Sequence, residues 1–167
     1  MALKKITLSV PAGRRPVDPM EIFGRLTLRG SVKNIWEPQA DALKQWHRAR
    51  GEVDVMVRLN TGGGKTLVGL LMAQSLANES RGQILYVCPN NQLVEQTAAK
   101  AREIGLSPAL RYPGNWTSRD AFDSGDVFCI TNYATVFNGK SIFANSSVPS
   151  WQRASSVFPV DGPYTRS

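Results

Sequence analysis

The chain has 167 residues, of which 42% are hydrophobic, so it is long and apolar enough for one globular domain with a core. Its 20 Lys and Arg residues outnumber its 13 Asp and Glu residues, and the resulting net charge of +7 suits a polyanionic partner. No apolar run approaches the length of a membrane span and no stretch fits a secretory signal, so we expect a cytoplasmic protein rather than a membrane protein.

The first elements of the chain carry residue types that favour helix starts. Residues 3–10 alternate between apolar and polar side chains, which predicts a short edge strand. Asp18, Pro19 and Glu21 are the residue types favoured at the N-cap, N1 and N3 positions of a helix. We therefore expect one short helix after Asp18 and a second, longer helix with Pro38 near its start.

A glycine-rich stretch follows an alternating apolar segment, Val53–Leu59, which predicts a strand. After the stretch, the apolar segment Thr66–Asn78 predicts a helix. Strand, glycine loop and helix in this order are typical of a phosphate-binding loop, because glycines let backbone N–H groups converge and the helix N-terminus adds partial positive charge. The predicted nucleotide-binding residues of the loop are Thr61, Gly62, Gly63, Gly64, Lys65 and Thr66.

Two of these side chains have specific predicted roles. Lys65 is the candidate catalytic residue, since a lysine at this place can reach the β- and γ-phosphates of a nucleotide. Thr66 is the candidate metal ligand, since its hydroxyl can bind Mg²⁺.

Strands and helices continue to alternate beyond this helix. The predicted strands are Gln83–Cys88, Leu106–Tyr112 and Val127–Ile130, and the predicted helices are Gln92–Ile104 and Thr117–Ser124. Thr117 and Asp120 have the spacing of a capping box for the last helix. Cys88 and Cys129 lie in apolar strands, which predicts reduced core residues. The alternation as a whole predicts an α/β fold with a doubly wound sheet.

The chain divides into three regions by composition and periodicity. Residues 1–17 form the predicted N-terminal strand and loop, and residues 18–142 the α/β domain. Residues 143–167 are small, polar and without a period of either kind, so we expect an irregular tail that is foreign to the domain.

Four segments, in chain order, resemble motifs of the N-terminal RecA-like domain of superfamily 2 helicases of the DEAD/DEAH type. One is the glycine loop, although Leu59 stands where the usual phosphate loop has its first glycine. Another is the run from Trp36 to Gln39, which resembles the glutamine motif, whose amide contacts the adenine edge. The resemblance leaves either Phe23 or Trp36 as the aromatic residue that stacks on the base.

The other two segments resemble motifs that contact nucleic-acid phosphates. Pro89, Leu93 and Gln96 match the frame of motif Ia, but Asn91 stands in place of the arginine found in DEAD-box members. The predicted strand that begins at Val127 leads to a threonine similar to that of motif Ib. The nucleic-acid-binding residues that the resemblance implies are Pro89, Asn90, Gln96 and Thr131.

The resemblance covers roughly residues 18–142 and implies an incomplete RecA-like P-loop NTPase domain, a parallel sheet with flanking helices. It implies ATP and Mg²⁺ as cofactors and single-stranded DNA or RNA, bound without sequence preference, as the partner. The implied function is that of the N-terminal part of an ATP-dependent DNA or RNA helicase.

The family's Asp-Glu box has no counterpart in the printed sequence, since no adjacent acidic pair follows Lys65. The aspartate of that box holds Mg²⁺ and the glutamate activates water, so we expect a domain truncated before the box and inactive alone. One alternative is a fragment that holds a nucleotide or nucleic acid without turnover. Another is a different phosphate-loop enzyme, such as a small kinase, which would need its own acceptor site.

Overall fold

The structure is a computed structural model that describes residues 15–79 and 82–137. Its helices are Pro19–Arg25 (α1), Glu37–Ala49 (α2), Lys65–Asn78 (α3), Asn91–Glu103 (α4), Arg119–Asp123 (α5) and Tyr133–Phe137 (α6). Its strands are Leu85–Cys88 (β1), Ala109–Tyr112 (β2), Asn115–Thr117 (β3) and Cys129–Asn132 (β4). The predicted edge strand at residues 3–10 and the predicted tail from residue 143 lie outside the described residues.

The four strands form one mostly parallel sheet in the order β1-β4-β2-β3. Strand β4 runs parallel to β1 on one side and to β2 on the other, and β3 pairs antiparallel with β2 as a hairpin. Together with the flanking helices, this sheet confirms the predicted α/β class and matches an incomplete RecA-like domain. Because β1 and β4 are parallel, their carboxyl ends meet at one edge of the sheet, where ligands bind in open α/β folds.

The core explains why α3 is apolar on every side. Ten of its residues are buried, including Leu70, Leu71 and Ala73, because α1, α2 and α4 surround it and β1 packs against it. This cluster covers one face of the sheet at Tyr86 and Ile130. A second, smaller cluster covers the other face, so the sheet is packed on both sides.

The helix ends confirm the start and stop signals of the sequence. The Asp18 side chain accepts hydrogen bonds from the backbone N–H groups of Met20 at 2.7 Å and Glu21 at 3.3 Å, as an N-cap does. Helix α4 ends before Gly105, whose φ is +86°, and the N–H of Leu106 reaches back to Ala101 O at 2.8 Å. This reversal is the glycine-dependent end of a helix that Gly105 predicts.

The prediction of a strand at Val53–Leu59 is wrong, since these residues are neither helix nor strand. Val55, Val57 and Leu59 are half-buried against the core, whereas Met56 is 96% exposed. The alternating pattern therefore specifies the inward face correctly. A strand also needs a hydrogen-bonded neighbour, and no strand in the described part of the chain pairs with this segment.

The predicted capping box of Thr117 and Asp120 is also wrong. Thr117 belongs to β3, and its hydroxyl accepts a hydrogen bond at 3.1 Å from the N–H of Leu110 in the paired strand. Ser118 becomes the N-cap of α5, with a left-handed φ of +51°. The Thr117 hydroxyl is therefore bonded within the β2–β3 hairpin and does not cap α5.

The two cysteines are free and buried, which confirms their prediction as core residues. Burial raises the pKa of the Cys129 thiol to about 12, and it also raises that of Cys88. Among the described residues, no helix is both long enough and apolar enough to span a bilayer.

Candidate functional site

The glycine loop adopts a backbone that only glycine accommodates easily. Gly62 and Gly64 have φ values of +78° and +73°, in the left-handed region. A Cβ atom on Gly63 would lie 2.8 Å from the carbonyl oxygen of Asn60, which itself accepts the Gly63 N–H at 2.9 Å. The loop thus places two left-handed glycines on either side of Gly63, whose own N–H is used within the turn.

Helix α3 begins directly after this loop, as the sequence predicts. Gly64 is its N-cap, and the Gly64 carbonyl accepts the N–H groups of Leu67 and Val68 at 3.0 and 3.3 Å. Lys65 and Thr66 occupy the first turn, beside the N–H groups that no intrahelical carbonyl accepts. The partial positive charge of a 14-residue helix therefore lies at the end that bears the predicted phosphate-binding side chains.

Gln39 of α2 contacts the glycine loop directly. Its side-chain Nε2 donates to Gly63 O at 2.9 Å, and its Oε1 accepts the backbone N–H of Trp36 at 3.0 Å. A Cβ atom on Gly64 would lie 2.1 Å from the same Nε2, so the contact requires glycine there. Gln39 thus holds the loop, and its contact with adenine, which would replace one of these bonds, stays a prediction.

A cavity of about 560 Å³ is lined by four of the predicted nucleotide-binding residues, Gln39, Gly62, Gly64 and Thr66. The other three, Thr61, Gly63 and Lys65, belong to the same loop and helix start but lie outside the lining. Three parts of the chain form its walls: the segment before and into α2, the glycine loop with the start of α3, and one stripe of α4. The lining residues used below are Ser31, Trp36, Gln39, Gly62, Gly64, Thr66, Gln96 and Lys100. The volume lies within the range of about 300–1,000 Å³ that small-molecule sites occupy.

Of the two aromatic candidates for base stacking, only one lines the cavity. Trp36 does so with 64% of its surface exposed. Phe23 is half-buried and packs against the hydrophobic core instead. Of the two rings, only that of Trp36 is therefore open to the cavity.

The segment Ser31–Asn34 is a wall of the cavity that the sequence does not predict. Glu103, at the last turn of α4, accepts hydrogen bonds from Ser31 through one carboxylate oxygen and from Lys100 through the other. These bonds from Lys100 and Ser31 lower the pKa of Glu103 to about 2. Ser31 and Glu103 are 72 positions apart, so no local pattern could have revealed the contact.

The edge at the carboxyl ends of β1 and β4 gathers a set of polar side chains. Asn90 caps α4 by accepting the N–H of Leu93 at 2.9 Å. Asn132 donates to the side chain of Asn91 and accepts the N–H of Thr135 at 2.7 Å, so it joins the starts of α4 and α6. The sequence did not single out Asn132, although its place at the end of a buried strand is a usable signal.

The structure separates the four predicted nucleic-acid residues. Pro89 and Asn90 are exposed at the sheet edge, and Thr131 lies beneath them, fully buried in β4. Gln96 lies further along α4, on the cavity wall. Only the first two therefore present surface at that edge to a nucleic acid.

Comparison with known proteins identifies one matching family. The family model described as type III restriction enzyme, res subunit, matches residues 33–156 and thus most of the chain. It represents N-terminal ATPase domains of helicase superfamily 2, in agreement with the resemblance of the motifs. No curated protein and no solved structure matches the chain.

Proposed function

Since this chain belongs to the family of type III restriction enzyme res subunits, whose members are helicase-like ATPase domains, we propose that it binds ATP with Mg²⁺ and single-stranded nucleic acid. It does so as the N-terminal part of an ATP-dependent DNA or RNA helicase. The observation that carries the proposal is the shared cavity, in which the glycine loop, Gln39 and Trp36 face one space of nucleotide size.

The phosphates bind at the glycine loop. The N–H groups of Gly62, Gly64 and the first turn of α3 supply hydrogen bonds and positive potential there, whereas the Gly63 N–H is held by Asn60 O. Lys65 adds a full charge for the β- and γ-phosphates. The Thr66 hydroxyl is the protein ligand for Mg²⁺, which neutralises phosphate charge when bound.

The base lies by the start of α2, where Trp36 lines the cavity. Trp36 offers an exposed ring on which it stacks. Gln39 supports binding by holding Gly63, and its amide also has the donor and acceptor groups that an adenine edge requires.

Nucleic acid binds at the sheet edge beside Pro89 and Asn90. The start of α4 offers N–H groups to a phosphate, and such contacts carry no sequence information. Thr131 supports this edge from below, next to the buried Asn132 that links Asn91 with α6.

The proposed nucleotide site is tested by equilibrium binding of a fluorescent ATP analogue with Mg²⁺. We expect Lys65→Ala to weaken binding by about tenfold or more, since a charge-assisted bond to phosphate is lost. Lys44→Ala is the matched control, because it removes an exposed lysine of α2 that belongs neither to the glycine loop nor to the start of α3. Equal affinities of wild type and Lys65→Ala would refute the site.

A second candidate function is nucleotide binding without turnover. The described residues that line the cavity include no Asp or Glu. Hydrolysis needs a carboxylate that orients water, and loss of an arginine finger alone reduces the rate about 10³–10⁵-fold. We expect phosphate release by this polypeptide near background, and release that depends on Lys65 and rises with nucleic acid would contradict this candidate.

A further inference from the structure

We propose that Glu103 is a positioning residue for the nucleotide's sugar–base end, because its carboxylate fixes the wall Ser31–Asn34 onto α4. This inference rests on the proposed nucleotide function. It assigns a role to a residue that lies outside every motif of the sequence and does not itself line the cavity.

Both oxygens of the Glu103 carboxylate are engaged. Oε1 accepts the backbone N–H of Ser31 at 2.7 Å and the Ser31 hydroxyl at 3.0 Å. Oε2 accepts from Lys100 Nζ at 2.8 Å. The backbone takes part as well, since the N–H of Arg29 donates to Glu103 O at 2.8 Å. A single residue thus makes four hydrogen bonds, three of them to the segment that forms the wall or leads into it.

The close fit of the chain at this point makes the contact specific. A Cβ atom on Gly30 would lie 1.8 Å from Glu103 Cγ, so only glycine lets the segment lie against the carboxylate. Nearby, a Cβ atom on Gly105 would lie 2.9 Å from Thr27 O. The loop between α1 and α2 therefore packs directly onto the last turn of α4.

The wall has no secondary structure of its own, and of its four residues only Val32 is partly buried against the core. Ser31–Asn34 lies in the irregular stretch between α1 and α2. Segments with few buried contacts open at low free-energy cost, so a bond to a helix decides how well such a segment is placed. Glu103 provides that bond from α4, whose Gln96 and Lys100 line the same cavity.

We assign the wall to the sugar–base end of the cavity because of the aromatic residue that follows it in the chain. It leads directly into Trp36, whereas the phosphate end is formed by Gly62, Gly64 and Thr66. Misplacing the wall should therefore weaken contacts with the nucleoside and leave contacts with the phosphate chain unchanged.

The test compares two ligands, Mg·ATP and inorganic tripolyphosphate with Mg²⁺. We expect Glu103→Ala to weaken ATP binding about tenfold, as expected for loss of hydrogen bonds to a charged group. Tripolyphosphate binding should not weaken, because the variant leaves Lys100, which lines the cavity, without its carboxylate partner. Glu103→Gln keeps an acceptor for Ser31 and should stay within about threefold of wild type for both ligands. Gly30→Ala displaces the Glu103 carboxylate from Ser31 but keeps its charge. This variant should also weaken ATP binding and leave tripolyphosphate binding intact.

Asp123→Asn is the matched control, because it removes an exposed carboxylate paired with Arg119 at 3.3 Å, away from the cavity. ATP affinity that is equal in wild type, Glu103→Ala and Gly30→Ala would overturn the inference. A parallel loss of both ligands would also overturn it, since that pattern indicates a general effect on the fold. Equal ATP affinities of wild type and Lys65→Ala would refute the proposed function itself. If Lys65→Ala weakens ATP binding but Glu103→Ala does not, only the role of Glu103 is refuted.

Discussion

Gly64 satisfies two geometric requirements at once. Its φ of +73° lies in the left-handed region, and a Cβ atom there would lie 2.1 Å from Gln39 Nε2. We expect Gly64→Ala to lower the free energy of unfolding by about 1–2 kcal/mol from backbone strain, and to weaken ATP binding because Gln39 must release the loop. Urea unfolding and nucleotide titration measure the two effects.

Gly24→Ala is the control for this substitution, because Gly24 is helical and has no neighbour within 4 Å of the added Cβ. It should stabilise α1 by up to about 1 kcal/mol, the difference in helix propensity between the two residues. A Gly64→Ala variant as stable as wild type would contradict the conformation given to the loop.

Glu103 gives the chain a specific acid dependence. Lys100 and Ser31 lower its pKa from 4.5 to about 2, so the folded state favours the carboxylate more than the unfolded state does. The stabilisation is fully present above pH 4.5 and is lost as pH falls from about 4.5 to 2. We expect wild type to lose more unfolding free energy across this window than Glu103→Gln, as measured by urea unfolding at several pH values. If the unfolding free energies of the two proteins fall in parallel as the pH is lowered, the contact of Glu103 with Ser31 and Lys100 is contradicted.

Among the elements, α4 connects the two proposed ligand sites. Its first residues stand at the sheet edge, its middle lines the cavity and its last turn holds Ser31. We expect Asn90→Ala to cost about 1 kcal/mol of stability through loss of the N-cap, and also to weaken nucleic-acid binding. Gln92→Ala, an exposed change in the same turn, should affect neither. Thermal unfolding measures the stability, and fluorescence anisotropy with a labelled oligonucleotide measures the binding. If both variants bind the oligonucleotide equally well, the sheet edge at Asn90 is not the nucleic-acid site.

The sequence predicts those elements whose signals are local. Helix α1 follows from Asp18 and Pro19, and the end of α4 from Gly105, because caps act within one turn. The segment Val53–Leu59 was mispredicted, because its alternation defines an inward face but not a pairing partner. Thr117 was mispredicted because a helix cap and a hairpin compete for the same hydroxyl.

In the candidate site, too, features with a local sequence signal are predictable and features that depend on distant contacts are not. Its glycine loop is visible in the sequence, because Gly62 to Lys65 are consecutive and stand before an apolar helix. The wall held by Glu103 is not visible, because it depends on a contact between residues 72 positions apart. The separation of Gln96 from Asn90 also required the structure, since six residues along a helix turn a side chain to another face.

For the whole molecule, charge sets the expected mode of nucleic-acid binding. The net charge is +7, and the proposed contacts go to phosphates. We expect weak binding to single-stranded DNA or RNA whose affinity falls steadily with salt and differs little between sequences, because counterion release drives it. Titration of two oligonucleotides of unlike sequence at several salt concentrations checks this, and a salt-independent affinity would contradict it.

The most direct test of the nucleotide site is amide hydrogen exchange with and without saturating Mg·ATP. We expect the nucleotide to slow exchange in residues 61–66 and 31–39, the two segments that contain most of the cavity lining, and to leave the hairpin of β2 and β3 unchanged. When the nucleotide is titrated, Lys65→Ala should need about tenfold or more nucleotide than wild type to reach the same protection. Protection confined to other segments, or equal protection in wild type and Lys65→Ala, would contradict the account.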